Sequence, residues 1–320
     1  MLIGETGIIG HEKVISFFEQ ALSNDHLAQA YLLVGPRGVG KTTVVEWLIK
    51  KLIGPTGWQH PDVITLSRLV DEKTEKIKSE IVVSQVREMR GRLAMSGLNG
   101  SHKIAFIEEA ETLNSEAANA LLKTLEEPTP GTVLLLRATS PDQVLPTITS
   151  RCQIIRFFPV DKKNISEALV NRGVNREEAE NLASLSAGCP GYALRLLRDE
   201  ETRSQEEVFL ARFLESLAAP LSSRLLLAAA WLPKDENNKV EQLKDLLDRW
   251  EVLLREALLF SAGLSNVSPR VKANSNLQKF ISQKSCGHWL KVLETLRLIK
   301  NDLYSHLNPG LALERLLLVL

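Results

Sequence analysis

The chain has 320 residues, of which 44% are hydrophobic and 24% are charged. These proportions are typical of folded globular proteins, so they exclude a mainly disordered or collagen-like chain and predict two or three domains. Lysine plus arginine and aspartate plus glutamate number 39 each. The net charge therefore does not predict nucleic-acid binding by the whole surface, and any such contact must be local.

Short apolar segments alternate with helical patterns through the first half of the chain. Segments bounded by turn residues predict five strands, at Ala30–Val34, Asp62–Leu66, Lys103–Ile107, Thr132–Arg137 and Gln153–Phe157. Apolar periodicity predicts helices at His11–Ser23, Lys41–Ile53, Val83–Met95 and Ser115–Leu125. Strands that alternate with helices and are apolar on both faces predict a parallel sheet covered by helices. This is the α/β architecture of nucleotide-binding domains.

After Pro159 the strand patterns stop and helical patterns take their place. Three short patterns predict a small second domain: Lys162–Arg172, Arg176–Ser186 and Gly191–Arg198. Longer, leucine-rich patterns begin near Ser204 and predict a third domain that is entirely helical. The predicted division is an α/β domain over residues 1–160, a helical lid over 161–203 and a helical domain over 204–320.

Residues 35–42 read GPRGVGKT and match the phosphate-binding pattern G-x-x-x-x-G-K-[ST], with a predicted strand before it and a helix after it. The glycines let successive N–H groups point at phosphate oxygens, while Lys41 neutralises phosphate charge and the Thr42 hydroxyl ligates Mg²⁺. The predicted phosphate-binding residues of this P-loop are Gly35, Gly38, Gly40, Lys41, Thr42 and Thr43. The alternative is a glycine-rich turn with a solvated lysine.

Two acidic residues follow the third predicted strand. A P-loop enzyme needs one carboxylate for its metal and a second carboxylate that orients the attacking water. We predict that Glu109 orients the water. We predict Glu108 on the metal side, where its side chain is one methylene longer than the more usual aspartate. The alternative is that both acids complement the dipole at the start of a helix.

Three further segments resemble bacterial clamp-loader subunits of the AAA+ family. They are Ile8–Glu12 ahead of the P-loop, Ala118–Pro128 after the acidic strand, and Ser150–Cys152 at the end of the α/β domain. The resemblance covers most of residues 5–200, and Asn308–Glu314 resembles the delta prime branch of these DNA polymerase III subunits. It implies an AAA+ α/β domain, a helical lid and a carboxyl-terminal collar that joins subunits.

The resemblance also implies a cofactor, partners and a role for one arginine. Clamp loaders of this family are pentameric, ATP-driven machines that open a sliding clamp and set it around primed DNA. It thus implies ATP with Mg²⁺, a hetero-oligomer with gamma/tau and delta subunits, the clamp, and DNA through the assembled complex. The Ser-Arg-Cys motif supplies an arginine to the γ-phosphate of a neighbouring subunit, so Arg151 is expected to act in trans. From the arginine alone, a pair with a local carboxylate is the alternative.

Two sensor positions of the family have counterparts here. Thr139 and Ser140 end the fourth predicted strand, where the family has a polar sensor of the γ-phosphate, and the comparison does not choose between them. The lid segment Gly188–Arg195 resembles the segment with a second sensor arginine. Arg195 is displaced by one residue from the motor-subunit pattern, which corresponds to about 100° around a helix.

Other features depart from the motor subunits. Many relatives carry a four-cysteine zinc module after the P-loop helix, but residues 52–100 contain no cysteine. The three cysteines, at positions 152, 189 and 286, do not have the spacing of a zinc or redox site, so we expect neither zinc nor a disulfide. The longest apolar stretch, Leu225–Leu232, is too short for a bilayer and we see no secretory signal, so we expect a cytoplasmic protein without membrane contact.

The sequence leaves three functions open. The first is a delta prime-type subunit that binds ATP and supplies Arg151 to an adjacent motor subunit. The second is a gamma/tau-like motor that hydrolyses ATP with Glu109 in its own site. The third is a small-molecule P-loop kinase, which the Ser-Arg-Cys motif and the large helical tail do not favour. The basic helix at Gln85–Arg92 is a candidate contact for DNA phosphates, with a solvated helix face as its alternative.

Overall fold

The computed structural model of the chain describes residues 7–71, 77–95, 102–232, 239–264, 268–302 and 308–320. The chain divides into two compact units between Leu194 and Arg195. This division groups most of the expected lid with the α/β part. The three-part division at residues 160 and 203 stays a prediction.

One parallel sheet organises the first unit. Within the described residues its strands are β1 (Ala30–Val34), β2 (Val63–Leu66), β3 (Lys103–Ile107), β4 (Thr132–Ala138) and β5 (Gln153–Arg156). Their order across the sheet is β2-β3-β4-β1-β5. Because every neighbouring pair is parallel, the segments that follow β1, β3 and β4 leave the same carboxyl edge of the sheet. The segment ahead of β5 lies at the opposite, amino edge.

Helices connect and cover these strands. They are α1 (Glu12–Ser23), α2 (Lys41–Ile53), α3 (Val83–Ala94), α4 (Ser115–Glu126), α5 (Pro146–Thr149), α6 (Lys162–Val170), α7 (Arg176–Leu185) and α8 (Pro190–Arg198), which ends in the second unit. The predicted strands and helices of this unit lie within two residues of the observed bounds. The α/β fold predicted from the alternating pattern is confirmed.

Side-chain caps explain where several of these helices begin. The Asn114 side chain accepts a hydrogen bond from the N–H of Ala117 at the start of α4, over 2.9 Å. Asp161 and Asn175 cap α6 and α7 in the same way. Such caps satisfy N–H groups that have no partner within the helix. The start of α2 differs, because its cap residue is Gly40, which has no side chain.

The sheet packs against helices on both of its faces. Along β1, the side chains of Leu32 and Val34 join one buried cluster, while those of Tyr31 and Leu33 join another. This alternation is the period of two that a strand imposes on its side chains. The first cluster includes residues of α3 and α4, and the second includes residues of α1 and α2. Because both faces of the sheet are buried, the strand ends keep fixed positions relative to one another. The candidate site lies at these strand ends.

The described secondary-structure elements of the second unit are all helices. Its helices are α9 (Glu200–Ala218), α10 (Leu221–Trp231), α11 (Lys239–Ser261), α12 (Pro269–Ala273), α13 (Ser275–Ser282), α14 (Cys286–Asp302) and α15 (Pro309–Val319). Trp250 and Trp289 are buried in its apolar core together with leucines of α11, α14 and α15. Across the described parts of both units, no helix is both long enough and apolar enough to cross a membrane.

Candidate nucleotide-binding site

The P-loop joins β1 to α2 at the carboxyl edge of the sheet. Gly40 has a φ of 117°, which residues with a side chain rarely adopt. It caps α2 without a side-chain hydrogen bond, so the first N–H groups of this helix stay available to an anion. The loop therefore fits a phosphate group. The predicted residues Gly35, Gly38, Gly40, Lys41, Thr42 and Thr43 lie together here, on the loop and the first turn of α2.

The loop is held from two sides. Gly191, in the first turn of α8, donates its N–H to the carbonyl oxygen of Gly38 over 2.8 Å. A Cβ on Gly191 would lie 2.9 Å from that oxygen, so the close approach requires glycine. On the other side, Nε2 of His11 donates to the carbonyl oxygen of Val39 over 2.7 Å. These two contacts fix the carbonyl groups of the loop.

Lys41 lies inside the loop and is 6% exposed. Its ammonium group donates hydrogen bonds to the carbonyl oxygens of Gly35 and Pro36, the second over 2.8 Å. Burial, followed by the nearby positive charge of Arg137, lowers the pKa of Lys41 to about 8. The lysine is thus still mainly charged at neutral pH. Phosphate binding requires it to exchange its carbonyl partners for phosphate oxygens.

Arg137, at the end of β4, contacts the residue predicted to ligate magnesium. Its Nη1 donates to Oγ1 of Thr42 over 2.7 Å, and its Nε donates to the carbonyl oxygen of Glu108 over 2.6 Å. These contacts follow from the strand order, since β4 lies between β1 and β3. Arg137 is not among the site residues predicted from the sequence. The signal was an arginine next to the end of an otherwise apolar strand.

Magnesium does not fit the donor set as it stands. A Mg²⁺ ion on Thr42 would lie about 2.1 Å from the hydroxyl oxygen, next to the guanidinium group that already donates to that oxygen. The two cations would repel each other at this short distance. Glu108 contributes its backbone carbonyl to the same guanidinium. Among the described residues, no group of three or more His, Cys, Asp or Glu side chains is arranged to hold a metal.

Glu109 is bound to two arginines. Its Oε2 accepts a hydrogen bond from Nε of Arg68 over 2.7 Å, and its Oε1 lies 3.7 Å from Nη2 of Arg37. A residue that orients the attacking water needs a carboxylate oxygen free to accept from that water. The guanidinium groups compete for both oxygens of Glu109. Its role in hydrolysis stays a prediction.

The structure distinguishes the two sensor candidates. The hydroxyl group of Thr139 donates to Oε1 of Glu111 over 3.1 Å, and its carbonyl oxygen accepts from the N–H of Gly35. Thr139 thus contacts the P-loop directly. Ser140 instead caps the short turn that begins at Pro141. Thr139 is the better placed residue, and the sensor function itself stays a prediction.

Glu111 is a second residue that the sequence analysis missed. Its Oε2 is buried, and within the described part of the chain it has no hydrogen-bond partner. Burial raises the pKa of this carboxyl group. In the sequence, Glu111 is a third acidic residue, two positions after Glu109. The alternating pattern of a strand does not account for it. Its charge lies near Lys41 and partly opposes the lowering of the lysine pKa.

Arg151 lies away from this cluster. It follows α5 and comes two residues before β5, at the amino edge of the sheet. Gln153, the first residue of β5, pairs with Tyr31 of β1. The P-loop begins at Gly35, four residues after Tyr31 and just past the end of β1. At about 3.3 Å per residue, Tyr31 and Gly35 are about 13 Å apart. Nη2 of Arg151 lies 2.7 Å from Oε1 of Glu126. The side chains are 38% and 49% exposed.

Two other predicted functional features lie outside the cluster. The side chain of Arg195 is exposed, and the residue begins the second unit, so its sensor role stays a prediction. On α3, Arg87 and Arg92 are exposed and Arg90 is half-buried. Nη2 of Arg92 also reaches the carbonyl oxygen of Pro61, over 3.4 Å. The contact of this basic face with DNA stays a prediction.

Residues 10–161 match the family described as DNA polymerase III, delta subunit. The chain is 34% identical over 219 residues to the delta prime subunit of DNA polymerase III from Pseudomonas aeruginosa, which covers 61% of this chain and 65% of that protein. It is 26% identical over 312 residues to the tau subunit from Bacillus subtilis, covering 86% of this chain and 54% of that protein. The chain thus spans less than two thirds of either relative.

A DNA polymerase III gamma subunit-related protein from Thermotoga maritima aligns over 91% of this chain and 93% of that chain. The identity is 21% and the TM-score is 0.38. Agreement at this level carries no argument about the site.

Proposed function

Because residues 10–161 match the family described as DNA polymerase III, delta subunit, we propose that the chain is a delta prime-type subunit of a clamp loader. In this proposal it binds a nucleotide at the P-loop and supplies Arg151 to the ATP site of a neighbouring gamma/tau subunit. The assembled complex, which also contains a delta subunit, loads a sliding clamp onto primed DNA.

The position of Arg151 is the observation that carries the proposal. Its guanidinium group is at the amino edge of the sheet, whereas its own P-loop is at the carboxyl edge. An arginine that stabilises a transferring phosphoryl group must touch the phosphate oxygens. Arg151 is too far from its own P-loop for that contact, but its exposed side chain can reach the nucleotide of another subunit.

The pair with Glu126 is compatible with this role. It joins two exposed side chains, and such a surface pair contributes only about 0–1 kcal/mol. A triphosphate on a neighbouring subunit carries more negative charge than one carboxylate and accepts hydrogen bonds in the planar geometry that arginine favours. The arginine therefore exchanges partners at little cost when the subunits meet.

Support for nucleotide binding comes from the P-loop and from the tau-type relative. The first turn of α2 offers N–H groups, and Lys41 is charged and close by. ATP is the nucleotide that a clamp loader would use. The hydrogen bond from Arg68 and the ion pair with Arg37 engage Glu109 and favour retention of the nucleotide over rapid turnover by this chain alone.

A gamma/tau-like motor is the second candidate. The intact P-loop favours it, as does the match to a tau subunit over 86% of this chain. It requires Glu109 to leave its arginine partners and orient a water. The arrangement around Glu109 therefore favours the delta prime-type role.

ATP turnover separates the two candidates. It is measured for the isolated chain, for a gamma/tau subunit, and for the two together with delta. We expect negligible turnover alone and strong stimulation in the mixture, both unchanged by Glu109→Gln. Strong turnover by the isolated chain that Glu109→Gln abolishes would establish the motor role instead. Failure of the wild-type chain to stimulate its partners would refute the delta prime-type role.

A further inference from the structure

The positively charged guanidinium group of Arg137 lies beside the Thr42 hydroxyl. Nη1 of Arg137 lies 2.7 Å from Oγ1 of this threonine, which is the oxygen that P-loop proteins use for magnesium. The Nε of the same guanidinium is bound to the carbonyl oxygen of Glu108 over 2.6 Å. Both acceptors belong to positions that the sequence assigns to the metal. Arg137 itself is half-buried on β4.

We propose that Arg137 is the resident cation of this P-loop, so that the chain binds nucleotide phosphates without requiring Mg²⁺. This inference rests on the nucleotide binding proposed above. It identifies the charge that attracts the phosphates. It concerns the affinity for a di- or triphosphate group.

The hydrogen-bond donors of Arg137 suit this role. A guanidinium group has five N–H donors, and the contacts to Thr42 and Glu108 engage one on Nη1 and the one on Nε. The planar fork of the remaining donors matches phosphate oxygens in a bidentate manner. The contacts on both sides anchor the guanidinium, so less side-chain freedom is lost when a phosphate binds.

The charge of Arg137 argues against a purely structural role. Its two acceptors, a hydroxyl group and a backbone carbonyl, are uncharged and do not neutralise the guanidinium. The neighbouring cation Lys41 has a lowered pKa, in part because of Arg137. Glu111 offsets part of this positive potential, but it is also hydrogen-bonded to Thr139. A nucleotide phosphate would relieve the repulsion between the two cations.

The test is a fluorescence titration with N-methylanthraniloyl-ATP, once in excess MgCl₂ and once in excess EDTA. For the wild-type chain we expect the two dissociation constants to agree within about threefold. For Arg137→Leu we expect a loss of roughly tenfold or more in EDTA, the size of one charge-assisted hydrogen bond, with recovery in MgCl₂. Arg137→Lys keeps the positive charge, and its loss of affinity in EDTA should lie between that of the wild type and that of Arg137→Leu. Arg176→Leu, which removes an exposed arginine on α7, is the matched control.

Circular dichroism establishes that each variant is folded, and Arg137→Lys keeps the proposal testable if the leucine variant is not. Wild-type binding that weakens tenfold or more in EDTA would overturn the proposal while leaving the delta prime-type role intact. So would an Arg137→Leu variant with the metal dependence of the wild type, or an Arg137→Lys variant that keeps the charge and yet binds more than tenfold more weakly in EDTA than in MgCl₂. Absence of binding in both buffers would overturn this proposal and the nucleotide part of the proposed function together. Stimulation of partner turnover would still test the role of Arg151.

Discussion

The two edges of one parallel sheet carry arginines in opposite circumstances. At the carboxyl edge, Arg137 is half-buried and holds Thr42 and the Glu108 carbonyl within its own domain. At the amino edge, Arg151 is exposed and contacts a surface carboxylate, Glu126. The same side chain is therefore a fixed part of a local site in one place and a group available to another molecule in the other.

The difference shows what decides the role of a charged side chain. Strand order brings Arg137 beside the P-loop, because β4 and β1 are neighbours. The direction of β5 takes Arg151 away from the same loop. A role within the chain is thus expected for the first arginine, and a role between subunits for the second.

Replacement of Arg151 by alanine removes the proposed trans contact. We expect turnover to fall about a thousandfold at the neighbouring ATP site that Arg151 completes. This is the lower end of the effect known for an arginine that stabilises phosphoryl transfer. Folding and nucleotide binding by the chain itself should not change, since the residue is exposed and distant from the P-loop. Steady-state turnover of the reconstituted complex provides the measurement.

Arg156→Ala is the matched control, because it removes another exposed arginine five residues along the chain. It should leave turnover of the complex unchanged. Equal turnover for Arg151→Ala and Arg156→Ala would remove the trans role.

Replacement of Lys41 by alanine tests the carboxyl edge of the sheet, where the P-loop lies. We expect nucleotide affinity to fall about tenfold to a hundredfold, because a charge-assisted hydrogen bond to phosphate contributes about 1.5–3 kcal/mol. Titration with a labelled ATP analogue measures the change. Lys50→Ala on the same helix removes an exposed lysine paired with Glu46 and should bind normally. If Lys41→Ala binds as tightly as Lys50→Ala, the P-loop does not hold phosphate.

Replacement of Glu126 by glutamine removes the ion pair of Arg151 and leaves its hydrogen bond to the carbonyl oxygen of Thr147, over 3.0 Å. We expect partner turnover at limiting ATP to rise by at most about fivefold, since a surface pair contributes about 0–1 kcal/mol. The stability of the chain, measured by thermal unfolding, should change little. A large fall in turnover would show that Glu126 positions the arginine for its task and does not merely hold it between encounters.

The smallest expected effect concerns His11 and pH. Burial lowers the pKa of His11, so its neutral form, which donates to Val39, is favoured in the folded state. A base whose folded pKa is depressed contributes stability above its unfolded value of about 6.5 and loses it as the pH falls. Urea unfolding at about pH 7.5 and about pH 5.5 should therefore show a decrease that His11→Asn lacks. Equal decreases in both proteins would contradict this assignment.

Much of the fold was predictable because its signals are local. The P-loop pattern fixed the junction of β1 and α2, and the alternating pattern predicted the sheet and its helices. The site was predicted less fully. The choice of Thr139 over Ser140 depends on which one contacts Gly35, and the roles of Arg137 and Glu111 depend on contacts between neighbouring strands and loops. Such contacts need the strand order, and no local pattern in the sequence specifies it.

Cryo-electron microscopy of the assembled complex with a non-hydrolysable ATP analogue tests the central claim most directly. We predict that the Arg151 guanidinium leaves Glu126 and lies within hydrogen-bond distance of the γ-phosphate bound by the neighbouring subunit. A map in which Arg151 remains paired with Glu126, away from every nucleotide, would contradict the account.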